Sequence, residues 1–303
     1  MRFSAVETAE QWLSAPLLER VRPIARRIDS IRSGADETAI AQRMSLIAFA
    51  IRVASAGIVF LSQVIIARWT GTFGYGVYVF VWTAMIILGS LSCLGFQTAV
   101  IRFLPGYRKA GDLERLRGII RTSRLFVVGS ASLMAAIGMA AIWLFSDMIE
   151  SYYVLPFLLA FICLPMLAME EVLDGTARAN KWSSRALAPT FLVRPSLILL
   201  YAAIIHLLGY EASPEAAVIA AVLATYTTTL LQMLMVDRGL AETYPPGPRR
   251  SELRQWMTVA LPIFLVEGFY YLLTNSDVIM VGLFLEPERV ATYYAAAKCM
   301  ALV

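Results

Sequence analysis

Three ionisable side chains lie inside long apolar runs, where a charge is expensive to keep. Arg52 and Arg194 each lie about two helical turns into such a run, and Glu267 lies near the middle of another. An ionisable group at membrane depth costs about 2.5–3.5 kcal/mol on insertion scales. A guanidinium offers planar, permanently charged donors that suit phosphate, whereas a carboxylate takes up a proton or a cation. These residues are therefore the first candidates for binding chemistry.

Further polar residues share helix faces with these charges. Gln63 follows Arg52 at i+11, and Tyr271 and Asp277 follow Glu267 at i+4 and i+10. Asn275 lies beside that face, and a separate apolar run carries Thr228 and Gln232. Polar groups at this spacing are expected to face other helices or a polar cavity, because lipid offers them no hydrogen bonds.

Structural interpretations compete with each of these assignments. Arg52 and Arg194 could extend to the nearer membrane surface, and Asp277 could reach the opposite one. Thr228 and Gln232 could serve interhelical hydrogen bonding alone. Glu170, Glu171, Asp174 and Arg178 are typical of i, i+4 pairs at a helix end.

The elements that must hold these residues are transmembrane helices. Of the 303 residues, 59% are hydrophobic and 16% are charged, with mean hydropathy +0.67, which excludes a water-soluble domain and disorder. A helix needs about 20 apolar residues to cross a bilayer. The predicted spans are 44–67, 77–99, 125–145, 153–170, 187–208, 215–236 and 256–284, and an eighth begins near 291.

The distribution of Arg and Lys predicts the orientation. Most of them lie in the N-terminal tail and in the loops 100–124, 171–186 and 237–255, so these segments and the N-terminus are expected to be cytoplasmic. The net charge of +4 follows from the same loops, and no nucleic-acid partner is expected. Four segments result: a cytoplasmic, partly amphipathic 1–43, a six-helix lobe 44–236, a linker 237–255, and the start of a second lobe 256–303.

Two features of the apolar runs bear on how much of the fold the chain contains. The same order of features, a long helix, a short outer turn, a small residue and then a tyrosine, leads to Tyr78 and again to Tyr293. This recurrence indicates a parallel repeat of six spans. The chain also stops inside an apolar stretch, so we expect it to be a fragment that lacks most of a second lobe. Cys93, Cys163 and Cys299 lie in apolar runs without metal-site spacing, and neither a metal nor a cofactor is expected.

Three stretches, in order, carry a family resemblance: ARWTGTFGYGVY at 67–78, LGFQTAVIRFLPGY at 94–107, and the run from LPIFLVEGFYYLLTNSDV into LEPERVATYYAAAK at 261–298. From residue 44 onward the chain resembles the polysaccharide and O-antigen flippases of the multidrug/oligosaccharidyl-lipid/polysaccharide exporter superfamily. The resemblance implies an all-α polytopic fold like that of the multidrug exporters, with two six-helix lobes around a central cavity. This chain is expected to hold one lobe and the start of the second.

The resemblance implies that the protein moves lipid-linked oligosaccharide across the bacterial inner membrane by alternating access and that it is not an enzyme. The expected partners are a polyprenyl diphosphate sugar, membrane lipids, and polymerase or export proteins. A multidrug or cation antiporter of the same superfamily and a membrane-embedded polysaccharide-synthesis enzyme are the alternatives. The substrate-cavity candidates are Arg52, Gln63, Arg194, Thr228, Gln232 and Tyr271, and the candidates for binding a coupling H⁺ or Na⁺ are Glu267, Asn275 and Asp277.

Overall fold

The computed structural model describes residues 37–300, with the side chains of 42 and 44–297, and these residues are helical almost throughout. The α-helices are α1 (Glu37–Ser92), α2 (Phe96–Ala110), α3 (Leu113–Leu144), α4 (Ser151–Phe161), α5 (Leu164–Ala179), α6 (Ser183–Ala188), α7 (Arg194–Leu207), α8 (Pro214–Thr243), α9 (Leu253–Phe284) and α10 (Pro287–Met300). A 3₁₀ turn at Ser146–Met148 and a π-helical turn at Pro189–Val193 complete the order. Residues 1–36 of the predicted, partly amphipathic segment 1–43 lie outside the described residues. Among the described residues the chain divides after Arg52, and the unit that begins at Val53 contains most of α1 and all of α2 to α10.

The helices account for the seven predicted spans. Within the described residues, five helices are long and apolar enough to cross a membrane, and six if α4 and α5, which are bent by 48°, form one broken span. The first of the five, Met44–Ser92, is 49 residues long and contains two predicted spans, because Gly71 has a non-helical backbone at φ 72° and ψ 172°. Between the first two predicted spans, the helix is therefore interrupted only at Gly71 rather than over the whole stretch 68–76.

Two predicted spans are not continuous helices. Span 77–99 is interrupted at 93–95, where Leu94 and Gly95 have positive φ angles of 47° and 80°. Span 153–170 is interrupted at Ile162 and Cys163, just before Leu164 and Pro165 open α5. Proline has no N–H for the helix ladder, so Pro165 cannot bond the carbonyl of Phe161 four residues earlier, where α4 ends. Apolar composition predicted both crossings but did not reveal the interruptions.

The predicted basic loops are also largely helical. Residues 100–124 belong to α2 and α3, which are separated only by Gly111 and Asp112, and most of 171–186 belongs to α5 and α6. Arginine and lysine are good helix formers, so a basic segment that follows an apolar span can prolong the same helix beyond the membrane. Of the predicted linker 237–255, only the stretch between Thr243 and Leu253 lies outside helices.

Helix α5 occupies the middle of the second unit. It packs against α2, α3, α6 and α8, while α9 packs against α2 and α10. On the outside, large apolar side chains remain exposed along the spans, such as Leu133 and Ile137 on α3 and Leu273 on α9. An extensive exposed apolar surface on long helices is typical of contact with lipid. The polar side chains buried within the described helices include Gln97 on α2, Glu170 and Thr176 on α5, and Thr225, Thr228, Thr229 and Gln232 on α8.

Candidate functional site

Two of the predicted cavity residues, Gln63 and Arg194, line the same cavity. It has a volume of about 210 Å³ and lies between the part of α1 that precedes Gly71, the helix that follows it, and the segment 190–198. The hydroxyls of Ser62, Thr190 and Tyr294 add polar groups to a wall that is otherwise mostly aliphatic and aromatic. The Tyr294 hydroxyl is hydrogen-bonded to Gln63, so α10 closes one side. We call this the arginine cavity.

Arg194 is held in place by a buried carboxylate. Its Nη1 lies 2.9 Å from Oε2 of Glu170, and the Thr190 hydroxyl donates to Oε1 of the same carboxylate at 2.7 Å. The Glu170 side chain is 4% exposed and that of Arg194 is 17% exposed. A guanidinium has five N–H donors, and Glu170 engages one nitrogen. Arg194 is therefore both neutralised and oriented at the wall, with donors left for a ligand.

The chain builds this arrangement with a widened helical turn. The π-helical turn Pro189–Val193 joins α6 to α7, and Pro195 follows in the first turn of α7. Because a π turn shifts the angular position of the residues around it, such turns are frequent at functional sites. Here the turn places Thr190 and Arg194 against the same carboxylate on α5. Arg194 lies about 16 Å along the helical segment that begins at Ser183, near the middle of that 25-residue span.

Glu267 lines a second cavity, also of about 210 Å³, with Tyr271 as a neighbour. The Gln97 amide donates to its Oε2 and the Thr98 hydroxyl donates to its Oε1. Gln97 and Thr98 belong to the first turn of α2, where unpaired backbone N–H groups create a positive partial charge. Glu171, Asp174 and Arg178 of α5 line the opposite wall. This acidic cavity therefore presents three carboxylates and one arginine.

Close backbone contact brings the two walls of the acidic cavity together. A Cβ on Gly95 would lie 2.1 Å from the carbonyl oxygen of Ala260, and one on Gly175 would lie 2.2 Å from that of Gln97. The start of α2 therefore packs closely against both α9 and α5. Elsewhere between α9 and α2, Nε1 of Trp256 donates to the Tyr107 hydroxyl at 2.9 Å. Glycine is required at 95 and 175 because any side chain would separate the helices.

Replacement of Gly95 by alanine should destabilise the protein well beyond the cost of its backbone angles. Gly111 is a matched control, since it has similar angles (φ 72°, ψ 10°) and open space where a Cβ would be. Left-handed backbone costs a non-glycine residue about 1–2 kcal/mol, and both variants should lose that much. Gly95→Ala should lose more, measured as the thermal unfolding midpoint of the detergent-solubilised protein. Equal losses would contradict the close contact with Ala260.

The other predicted residues lie apart from these contacts. Gln232 is fully buried and its amide donates to the Arg185 carbonyl oxygen at 3.2 Å, while Thr228 is fully buried on the same helix. The Asn275 amide donates to the carbonyl oxygen of Tyr271 at 3.0 Å, and Asp277 accepts from the Tyr293 hydroxyl at 2.8 Å. Arg52 has an exposed side chain and is the last residue of the first unit.

The residues predicted as i, i+4 pairs at a helix end contribute to both candidate sites. The pairing of Asp174 with Arg178 is confirmed, with 2.6 Å between Oδ2 and Nη2. Glu170, in contrast, pairs with Arg194, and Glu171 lines the acidic cavity. Gln97 and Thr98 were not singled out at all. The available signals were two adjacent glutamates in an apolar run and a polar pair directly after Gly95 and Phe96.

Helices that cross a membrane and enclose polar cavities define a polytopic α-helical membrane protein. The family described as "Polysaccharide biosynthesis protein" matches residues 43–303, and the chain belongs to that family. The predicted family is thereby confirmed. No curated protein sequence matches the chain.

Solved structures of multidrug exporters share the fold. A MATE "in the straight conformation" aligns with a TM-score of 0.62 at 17% identity, over 90% of this chain and 62% of that one. An outward-facing "multidrug resistance MATE family transporter of the MOP superfamily" gives 0.61 at 18%, over 90% and 62%, and an inward-facing one gives 0.56 at 19%, over 83% and 57%. The predicted MATE-like, all-helical fold is confirmed, and the chain spans about three fifths of the length of these transporters.

Proposed function

We propose that the protein moves lipid-linked oligosaccharide from the cytoplasmic to the periplasmic leaflet by alternating access. The observation that carries this proposal is Arg194, a guanidinium kept at mid-span by Glu170 and presented to a cavity between helices. A polyprenyl diphosphate sugar cannot cross lipid unaided, because its phosphates and hydroxyls would lose their hydrogen bonds. Donors of Arg194 would bind the diphosphate, while Gln63 and Tyr294 would bind sugar hydroxyls.

The acidic cavity is the proposed coupling site. Glu267 would bind a proton or Na⁺, with Glu171 as a second carboxylate in the same cavity. Carboxylates that change their protonation or their cation at membrane depth are the usual coupling elements of transporters. Asp277 and Asn275 remain further candidates on the same helix. Uptake of a proton or Na⁺ would weaken the hydrogen bonds that Glu267 accepts from the first turn of α2. This loss would favour a different position of α9 relative to α2.

A multidrug or cation antiporter of the same superfamily is the second candidate. The acidic cavity favours it, because three carboxylates would attract a cationic substrate. The solved exporters of similar fold are also described as multidrug resistance transporters. The arginine cavity favours the anionic, lipid-linked substrate. In either case we propose transport without bond chemistry in the bacterial inner membrane. For the lipid-linked substrate, the proposed partners are polysaccharide polymerase or export proteins.

The test is a transport measurement that separates the two candidates. Cells whose surface polysaccharide depends on this protein should accumulate lipid-linked oligosaccharide in the cytoplasmic leaflet when it is depleted. Expression of the protein should restore the surface polysaccharide without changing resistance to cationic drugs. Drug resistance that follows expression while the lipid-linked intermediate stays constant would establish the antiporter instead.

Reporter fusions should establish the orientation. The proposed topology places 146–152 and 209–214 in the periplasm and the basic stretch 237–255 in the cytoplasm, because arginine and lysine are retained on the cytoplasmic side. A periplasm-active reporter inserted at 148 or 210 should be active, and one inserted at 247 should be silent. The reverse pattern would overturn the orientation, and with it the proposed direction of transport.

A further inference from the structure

A third cavity, larger than the other two, lies away from both sites and has a different character. It has a volume of about 870 Å³ and is bounded by the first turns of α3, by α5, by the end of α8 and by the segment 244–249. Four arginines line it, Arg117, Arg121, Arg124 and Arg249, against a single acidic residue, Asp237. Most of the remaining lining is aliphatic or methionine. We call it the basic cleft.

The cleft changes from cationic to apolar along its length. Arg117, Arg121 and Arg124 occupy the start of α3, and the next lining residues inward along the helix are Leu125 and Val128. Met166 of α5 and Met233 of α8 continue the apolar part. The Leu125 side chain is 64% exposed, so the apolar part opens onto the surface that faces lipid. An amphiphile could therefore enter sideways from the bilayer.

The arginines of the cleft differ in how many of their N–H donors find a hydrogen-bond acceptor within the protein. Arg117 donates to the carbonyl oxygens of Pro245 and Pro248 at 2.8 and 2.9 Å, so it holds the segment that forms one wall. Arg124 pairs with Asp237 at 2.6 Å, but its Nε and Nη2 are buried and have no hydrogen-bond partner among the described residues. Buried donors without acceptors are costly, and an anionic oxygen would remove that cost.

Arg121 and Arg249 provide the accessible charge. Both side chains are exposed, and within residues 37–300 neither one makes a hydrogen bond or an ion pair. Together with Arg124 they surround one end of a cleft whose other end is apolar. Arginine binds phosphate oxygens in pairs through its planar donors, so the charged end suits a phosphate group.

We propose that the basic cleft binds an anionic phospholipid of the surrounding bilayer, with the head-group phosphate between Arg121, Arg124 and Arg249. The acyl chains would lie along Leu125, Val128 and Met233. A phospholipid fits better than a lipid-linked sugar, because the polar lining is almost entirely arginine and lacks the amides that bind sugar hydroxyls. The one hydroxyl in the lining, that of Tyr244, already donates to Asn180 at 2.7 Å. The site is independent of the proposed transport function.

The test compares lipid retention by the full-length chain in nanodiscs of phosphatidylcholine with and without phosphatidylglycerol. Native mass spectrometry of the released protein should show retained phosphatidylglycerol in preference to phosphatidylcholine. Arg121→Gln with Arg249→Gln should weaken retention at least about tenfold, since two charged donors are lost. The control is Lys109→Gln with Arg254→Gln, which removes the same charge from exposed residues outside the cleft and should leave retention unchanged. Val128→Phe, which fills the apolar part, should also reduce retention while all four arginines remain.

Three results would overturn the proposal. Equal retention of both lipids would show apolar adsorption, and equal loss in the control variant would show attraction to surface charge in general. Displacement of phosphatidylglycerol by a lower concentration of polyprenyl diphosphate would assign the cleft to the transported lipid. Because the readout is binding, loss of the lipid site leaves the transport proposal standing, and failure of export leaves the lipid site standing.

Discussion

Replacing Arg194 with alanine is expected to abolish polysaccharide export and also to reduce the amount of folded protein. The first effect follows from the loss of the proposed phosphate donor. The second follows from Glu170, which is 4% exposed and would remain as a buried charge without its partner. Breaking a buried ion pair on one side costs about 3–5 kcal/mol. Sequence reasoning alone predicts an abundant but inactive variant, so the lower abundance is an expectation that the structure adds.

A double variant separates the two effects. Glu170→Gln with Arg194→Gln removes both charges and keeps polar side chains, so abundance should recover toward that of the wild type. Export should stay below about a tenth of the wild-type level, because no guanidinium faces the cavity. Arg194→Lys should export more than Arg194→Ala because it keeps a positive charge. It should export less than the wild type because a single ammonium lacks the planar pair of donors.

The matched control is an ion pair of the same type at the surface. Arg250 lies 3.0 Å from Glu252 with 61% of its side chain exposed, and such pairs contribute about 0–1 kcal/mol. Arg250→Ala should therefore leave abundance and export unchanged. The measurement is surface polysaccharide and inner-leaflet lipid-linked intermediate, each normalised to protein level. Normal export by the double variant would make the Glu170–Arg194 pair purely structural and would remove the phosphate-binding mechanism.

Glu267→Gln is expected to lower ion-driven export at least about tenfold while the protein remains folded. Glutamine preserves the length of the side chain and one acceptor oxygen, so a contact with the first turn of α2 can persist. It cannot exchange a proton or hold a cation by charge, and the switch between bound and released states is lost. Any residual export should no longer fall when a protonophore or a sodium ionophore dissipates the gradient. Glu267→Ala should behave much like it.

An exposed carboxylate on α8 provides the control for Glu267→Gln. Glu242, in the last turn of α8, is exposed, and Glu242→Gln removes the same charge without entering either cavity. It should export at the wild-type rate and keep its sensitivity to the ionophore. If Glu267→Gln kept both the rate and the sensitivity, the coupling role of Glu267 would be wrong, although substrate binding by Arg194 could stand.

Some of these features were accessible from the sequence because they depend on local composition. Apolar runs of about 20 residues located the seven spans, although several helices extend beyond them into the basic segments and breaks near Cys93 and Cys163 interrupt two of them. The cost of charge in lipid singled out Arg194 and Glu267, and each lines a cavity between helices. The family and the all-helical fold were likewise predicted from motifs that lie close together in the chain.

The partners of those charges were decided by tertiary structure. Glu267 receives its hydrogen bonds from residues 169 and 170 positions earlier, and Arg194 pairs with a glutamate 24 positions away on another helix. Helical periodicity reveals which face a residue occupies, but not which helix lies opposite. That choice depends on where backbones can approach, here at Gly95 and Gly175, and on the break before α2 and the π turn before α7. Residue type and position in an apolar run show which charges need a polar environment, whereas the packing of the helices decides which groups provide it.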